Sequence, residues 1–338
     1  WLGGKLSDKI GFYKIMIFSL LTSGFAFFGL QFVTSFEGLL LAMFLIMTVA
    51  DMFRPAMFVS LGAYAKPENR TRALTLVRLA INLGFAAGPA LGGLLIMSVG
   101  YKGLFWVDGA SCIIAILIFW IKVKEKKKSK LIDTEHPEEV LRLSVFKDRP
   151  FWIFLTGTLI TGILFFQLFT TIPLYHKEQF NLSEFQTGLL LTLNGVLVFF
   201  LEMPIVSYIE RHKINKLKVI TYGCLAMAIS IYLLLINHWA GILIIMMIFM
   251  TFAEMFAFPF SNSFAMSRAP KGHEGRYMAI FTMSYSLAHI LSAKTGMEVI
   301  DIFSYQANWF FMGTLGVIGV ILFYWTIKLV DKEPPHNL

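Results

Sequence analysis

The stretch "LGFAAGPALGGLL", Leu83–Leu95, lies in an uncharged run of the chain and carries four glycines and a proline. Glycines four residues apart leave a smooth strip along one face of a helix, and a neighbouring membrane helix can pack closely against such a strip. Pro89 removes one backbone hydrogen bond and permits a bend. The stretch therefore predicts a membrane helix that packs closely on one side and kinks.

Membrane-spanning character extends along the whole chain. Apolar residues make up 57% of the 338 and charged residues 15%, against roughly 45–50% and about 25% in soluble domains. The apolar runs are long enough to cross about 30 Å of hydrocarbon, and the alternation expected of barrel strands is not seen. We expect an all-α membrane protein. The ten predicted spans lie near residues 13–34, 38–64, 73–98, 103–123, 151–174, 185–208, 217–236, 239–266, 277–299 and 308–329.

The distribution of charge argues against a nucleic-acid partner, although the net charge is +8. Most of the 29 Lys and Arg residues fall in loops on one side of the predicted membrane, and the other side has only Lys102 and Lys177. Such an asymmetry marks the basic side as cytoplasmic. We expect a multi-pass protein of the cell membrane with a cytoplasmic C-terminus. Cys112 and Cys224 both fall in spans, so no disulfide framework is indicated.

The chain repeats itself. "ADMFRPAMF" (Ala50–Phe58) resembles "AEMFAFPFSNSF" (Ala253–Phe264), about 200 residues later, which indicates two homologous halves. The second half has six predicted spans and the first only four, so we expect two further helices to precede this sequence. The predicted domains are an N-terminal bundle (1–123, helices 3–6), a charged cytoplasmic linker (124–150) and a C-terminal bundle (151–338, helices 7–12).

Two motifs carry a resemblance to a known family. "GGKLSDKIGFYK" (Gly3–Lys14) resembles the loop signature G-x-L-a-D-r-x-G-r-k of the major facilitator superfamily. The matching positions are Gly4, Leu6, Asp8 and Gly11, with Lys9 in place of arginine. The opening stretch is similar to the fifth-helix signature G-x-x-x-G-P-x-x-G-G of that superfamily's proton-coupled exporters. Its matching positions are Gly84, Gly88, Pro89, Gly92 and Gly93.

The resemblance implies two six-helix bundles around a central cavity, alternating access, and transport by a monomer of small molecules with protons. It implies no cofactor and no metal. One departure is clear, because exporters of this type carry an arginine early in the fourth helix. Here Leu39–Met47 has none and Arg54 comes later.

Ionisable and polar residues inside spans are the site candidates, because burying a charge in a membrane costs roughly 2.5–3.5 kcal/mol. The candidates for proton or substrate binding are Asp51, Arg54, Arg78, Asn194, Gln167, Glu202, Glu254 and His289. Asp51 and Arg54 are one turn apart and are expected to pair. Glu254 and Glu202 have no cation nearby in sequence, so either is a candidate proton carrier.

The preferred function is proton-coupled efflux of lipophilic drugs or metabolites. The alternative is a proton-coupled importer of small solutes such as peptides or sugars, in which Arg54, Arg78 and Asn82 would suit a substrate carboxylate. An enzyme is disfavoured, because no metal-ligand cluster, phosphate-binding loop or activated nucleophile is evident. A channel is disfavoured by the two-fold repeat with kinked helices.

Overall fold

A computed structural model describes residues 10–64, 70–125, 145–236, 239–269 and 274–333. Over these ranges the secondary structure is helical, without strands, and the predicted all-α class is confirmed. The α-helices of these ranges are α1 (Phe12–Leu30), α2 (Phe36–Ala50), α3 (Phe53–Tyr64), α4 (Arg70–Val99), α5 (Tyr101–Lys122), α6 (Arg149–Phe166), α7 (Thr171–Phe180), α8 (Glu184–Arg211), α9 (Lys216–Leu233), α10 (Ile242–Arg268), α11 (Glu274–Ile302) and α12 (Tyr305–Val330). Short 3-10 turns cover Val145–Lys147 and Gln167–Phe169.

Eight segments among the described residues are long and apolar enough to cross a membrane. They are Phe12–Leu30, Ala80–Val99, Tyr101–Lys122, Arg149–Phe169, Glu184–Arg211, Lys216–Leu233, Ile242–Arg268 and Tyr305–Val330. The apolar helix α2 is shorter than these. The predicted count of ten spans is therefore approximate.

Two of the predicted spans are interrupted, and this corrects the expectation of continuous helices over 38–64 and 151–174. The first is broken between α2 and α3, and the second between α6 and α7. In each case a proline, Pro55 or Pro173, is the third residue of the helix that follows the break. Proline has no amide hydrogen to bond four residues back, and it disfavours helical geometry in the residue before it.

At the first break, backbone carbonyl groups at the end of α2 accept hydrogen bonds from a side chain of α1. The Ser19 hydroxyl of α1 donates to the carbonyl oxygens of Val49 and Ala50, at 2.7 and 3.2 Å. Ser19 itself is fully buried. Because carbonyl groups at the end of a helix need hydrogen-bond donors, this contact stabilises the broken form of the segment.

The described residues fall in two compact units, and each is described by itself. The first unit comprises Trp1–Gly84 and Leu91–Glu135, and the second comprises Phe85–Ala90 and His136–Leu338. In the first unit α1 packs against α5, α3 and α2. Its core is built from Phe12, Tyr13, Ile15, Met16 and Ala56. The domain boundaries drawn from the sequence remain a prediction.

In the second unit α9 is central, packing against α10 and α12, while α6 contacts α11 and α12 and α8 contacts α10. One apolar cluster includes Leu164, Met227 and Trp309, and a second includes Phe154, Ile220 and Phe323. Four of the five methionines of α10 belong to this interior, and Met266 is exposed. Met246, Met247, Met250 and Met255 are at most 1% exposed. They are packing residues of the bundle and do not line an open pocket.

Candidate functional site

A polar cluster joins the middle of α8 to the middle of α10. The side-chain amide of Asn194 donates to Glu254 Oε1 and to Thr251 Oγ1, both at 3.0 Å. Thr251 in turn donates to the carbonyl oxygen of Met247 at 2.7 Å. Thr251 and Glu254 are one helical turn apart, so both side chains reach the face of α10 that meets α8. We call Asn194, Thr251 and Glu254 the acid cluster.

The backbone of α10 is held in place from the other side by α9. A Cβ atom at Gly223 would lie 2.9 Å from both the Ala253 carbonyl oxygen and the Ala257 amide nitrogen. Only glycine permits this approach, and small residues at helix interfaces let two backbones pack closely. Pro259 lies inside α10, yet the helix continues through it to Arg268. Helix α10 is therefore continuous at Glu254, where it packs closely against α9.

Both acids of this region are buried. Glu254 and Glu202 are each 9% exposed, and Glu202 lies close enough to Glu254 for the two side chains to interact electrostatically. Within the described ranges no Lys, Arg or His forms a salt bridge with Glu254. A charged carboxylate in apolar surroundings is costly without a paired cation. The cluster can therefore be neutralised in two ways, by taking up a proton or by binding a cation.

A second buried cluster lies at the break between α6 and α7. Gln167 is fully buried, and its amide nitrogen donates to the carbonyl oxygen and the hydroxyl of Ser292, both at 2.9 Å. Thr171 donates to the Gln167 side-chain oxygen, and Asn308 donates to the same oxygen at 3.4 Å. Gly296 makes room, because a Cβ there would lie 2.7 Å from that oxygen. Gln167 thus ties the break to α11 and α12.

An ionic network at the other end of this bundle was not predicted from the sequence. Arg268 donates to both carboxylate oxygens of Asp148, at 2.9 Å each, and also to Glu333. Tyr277 donates to Asp148 at 3.0 Å. Asp148 also caps the start of α6 through the Phe151 amide. The available signal was Asp148 before Arg149-Pro150, a helix-start pattern that we placed in the linker.

The other predicted site residues lie apart from the acid cluster or outside the described side chains. Asp51 and Arg54 are both exposed, and the expected ion pair between them does not form in the described part of the chain. The helix break separates the two residues, so they do not share a helical face. Arg78 lies in α4, and its side chain is not among those described. His289 is exposed, with its ring 4.6 Å from that of Phe166.

The residues of the two motifs differ in their surroundings. Gly4, Asp8 and Lys9 lie outside the described residues, whereas Gly11 precedes α1 with a positive φ of 98° that favours glycine. Among the described residues, a Cβ at Gly84 or Gly88 would meet nothing within 4 Å, and one at Gly92 would meet Leu104 at 3.8 Å. The close helix approach expected at Gly84 and Gly88 is therefore not seen. Gly93 is buried, and α4 runs without interruption through Pro89.

Within the second unit, a close contact instead joins residues 89–90 of α4 to Gly188 of α8. A Cβ atom at Gly188 of α8 would lie 2.9 Å from the Pro89 carbonyl carbon and 3.2 Å from Ala90 Cα. The glycine that permits the contact is therefore on α8. The interpretation of Pro89 as a hinge remains a prediction.

Comparison with protein families decides the class. The family model described as Major Facilitator Superfamily matches residues 2–293. The chain belongs to the major facilitator superfamily. Members of this superfamily are membrane transporters of small molecules, which agrees with the resemblance drawn from the two motifs.

Curated relatives are distant but cover nearly the whole chain. The chain is 22% identical to a Na(+), Li(+), K(+)/H(+) antiporter of Planococcus maritimus, over 99% of this chain and 86% of that protein. It is 23% identical to the quinolone resistance protein NorA of Staphylococcus aureus (strain COL), over 98% of this chain and 83% of that protein.

Among solved structures, a POT family transporter in complex with 5-aminolevulinic acid has the same fold, with a TM-score of 0.78. That likeness covers 96% of this chain and 84% of the other, at 15% identity. At this level of identity it supports the fold alone.

Proposed function

We propose that this protein is a proton-coupled exporter of lipophilic, cationic compounds, in which Glu254 carries the proton. The observation behind the proposal is the acid cluster. Glu254 is a buried carboxyl with one amide donor, a second acid nearby and, in the described ranges, no paired cation. A group of this kind can change its charge when a proton is exchanged for a cationic substrate, because a buried carboxylate is costly to keep ionised without a paired cation.

The coupling scheme follows from charge balance. With the site open to the outside, Glu254 takes up a proton and the cationic substrate leaves. With the site open to the inside, the proton leaves and the substrate binds the carboxylate. A full cycle therefore exchanges one proton for one monocation and runs outward when the outside is acidic. Glu202 lies close enough to Glu254 to influence it electrostatically.

The test is pH-driven transport in proteoliposomes, with tetraphenylphosphonium as the probe. Glu254→Gln removes the ionisable group but retains a hydrogen-bonding side chain, so it is expected to abolish accumulation driven by a pH gradient. Glu202→Gln is expected to weaken it. Glu298→Gln is the control, because Glu298 is an exposed acid on α11. Accumulation by Glu254→Gln at the wild-type rate would reject the proposal.

A second candidate is exchange of monovalent metal cations for protons. It is supported by the oxygen-rich character of the acid cluster, since carboxylate, hydroxyl and amide oxygens suit hard cations. A relative that is similar along 99% of the chain is named as such an antiporter. The two candidates separate in one assay, in which Na⁺, Li⁺ or tetraphenylphosphonium is added to vesicles holding a pH gradient. Collapse of the gradient by Na⁺ or Li⁺ alone would favour the second candidate.

A further inference from the structure

Thr251 is the member of the acid cluster that was not predicted from the sequence. Its side chain is fully buried, and its hydroxyl donates to the carbonyl oxygen of Met247 at 2.7 Å. A hydroxyl has one hydrogen, so a Thr251 oxygen whose hydrogen is already used can only accept from other groups. The Asn194 side-chain atom that lies 3.0 Å from this oxygen is therefore the amide nitrogen.

The orientation of the Asn194 amide decides what Glu254 receives. The amide nitrogen carries two hydrogens, and it lies 3.0 Å from Thr251 Oγ1 and 3.0 Å from Glu254 Oε1, so one hydrogen serves each oxygen. A reversed amide would place its carbonyl oxygen against both of these oxygens. Acceptors with no hydrogen between them are left unsatisfied, which is costly in a buried site. With Thr251 in place, Oε1 of an ionised Glu254 therefore keeps an N–H donor.

The two carboxyl oxygens of Glu254 consequently differ. Oε1 accepts a hydrogen bond from Asn194, whereas Oε2 accepts none from the described residues. A hydrogen bond to the ionised form of a carboxyl group favours that form, and hydrogen bonds to ionised groups are roughly twice as strong as those between neutral groups. Asn194 therefore assists release of the proton, and Oε2 is the oxygen that is left to gain it.

The helices packed against α10 bring one other charged group to Glu254 within the described ranges. That group is Glu202 of α8, which acts on Glu254 electrostatically. Helix α9 presents Gly223 at this level. Helix α11 presents Tyr285, whose ring contacts that of Phe258 one helical turn beyond Glu254, and α6 presents an aromatic ring to the same side chain. The hydrogen bond from the Asn194 amide is thus the polar contact that distinguishes the two oxygens.

We propose that Asn194 and Thr251 are positioning residues that hold an N–H donor on Oε1 of Glu254, so that Oε2 gains and releases the proton. On release the Oε2–H bond breaks, its electron pair stays on Glu254, and the proton passes to water. The inference rests on the proposed export function and adds the residues that set the pH at which the exchange occurs. Thr251 acts through Asn194. A role confined to joining α8 and α10 would leave that pH unchanged.

The experiment measures binding of tetraphenylphosphonium to the purified protein in detergent at a series of pH values. Protons compete with the cation for Glu254, so binding falls as the pH falls, and the pH of half-maximal binding reports the proton affinity of the site. Asn194→Leu removes the donor at nearly constant side-chain size. We expect this midpoint to move upward by about one pH unit, a tenfold gain in proton affinity, because the ionised form loses its hydrogen bond.

Variants at Thr251 test whether it acts through Asn194. Thr251→Val keeps the branched shape but frees the amide to turn, so we expect an upward shift smaller than that of Asn194→Leu. Thr251→Ser keeps the hydroxyl and should retain the wild-type midpoint. Added to Asn194→Leu, Thr251→Val should cause no further shift. Thr326→Val is the matched control, because Thr326 is also fully buried and donates to the carbonyl oxygen four residues earlier, but lies on α12.

An unchanged midpoint in Asn194→Leu, with cation binding intact, would overturn the positioning role and leave proton exchange at Glu254 standing. A Thr251→Val shift that persists in full in the Asn194→Leu background would overturn the assignment of Thr251. If Asn194→Leu does not fold, the comparison of Thr251→Val with Thr251→Ser decides, and equal midpoints in these two variants would reject the proposal. Cation binding by the wild type that does not depend on pH would overturn the proposed export function itself.

Discussion

The two copies of the internal repeat place their corresponding acids in opposite surroundings. Asp51 lies at the break between α2 and α3 and is exposed, whereas Glu254 lies inside the continuous helix α10 and is 9% exposed. Each acid is followed within five residues by a proline, Pro55 or Pro259. A proline therefore does not by itself decide whether the helix breaks.

Packing accounts for the difference. Near Asp51, the Ser19 hydroxyl donates hydrogen bonds to the carbonyl groups at the break, and these bonds stabilise the broken form. At the second, Gly223 brings α9 against the backbone of α10, and Asn194 holds the carboxyl. The repeat thus supplies two similar sequences, and their neighbours make one an exposed helix end and the other a buried ionisable site.

The largest expected effect contrasts these two acids directly. Glu254→Gln should lower pH-driven transport by at least about 100-fold, whereas Asp51→Asn should change it by less than about threefold, because only the first removes a buried ionisable group. Initial rates of tetraphenylphosphonium transport at equal protein amounts provide the measurement. Equal losses in the two variants would mean that the repeat-related acids have the same role.

The next effect concerns stability, in the bundle that holds Glu254. Arg268→Ala leaves Asp148 largely buried without its cation, which is expected to cost about 3 kcal/mol. The comparison is Lys177→Ala, because the Lys177–Glu184 pair is mostly exposed and such pairs contribute about 0–1 kcal/mol. Unfolding in mixed micelles of increasing SDS content reports both free energies. Similar midpoints for the two variants would contradict a structural role for the Arg268 network.

A smaller loss is expected at the break between α6 and α7. Gln167→Leu keeps the size of the side chain but leaves Ser292 and Asn308 without their shared partner, so the free energy of unfolding should fall by about 1–3 kcal/mol. Gly296→Ala should act in the same direction, because its Cβ would press on Gln167. A Gln167→Leu protein as stable as the wild type would instead favour a substrate-binding role for this side chain.

The smallest effect separates two kinds of motif glycine. Gly11→Ala should cost about 1 kcal/mol, because the residue has a positive φ that favours glycine. Gly84 lies in a helix, and a Cβ there would meet none of the described residues within 4 Å, so Gly84→Ala should be neutral or stabilising by up to about 1 kcal/mol. The same unfolding assay measures both, and a destabilised Gly84→Ala would indicate close packing at that position after all.

The hydropathy of the sequence was enough to predict the helical class and most spans, because these depend on long apolar runs. The superfamily was indicated by the resemblance of two local motifs. Glu202, Glu254 and Asn194 were also predicted as site residues, because they are polar residues inside apolar spans. Their pairing across α8 and α10 was not predicted, since it depends on which faces the two helices present to each other. The breaks near Asp51 and Gln167 had a local signal in Pro55 and Pro173, but the same signal at Pro259 proved compatible with a continuous helix.

If Glu254 exchanges a proton for a cationic substrate, binding of the substrate must release that proton from the protein. Tetraphenylphosphonium is added to the purified protein in weakly buffered detergent solution at a pH where the site is protonated, and the released protons are counted with an indicator dye. We expect about one proton per bound cation from the wild-type protein and none from Glu254→Gln. Equal release from both proteins, or binding to the wild type without release, would contradict the account.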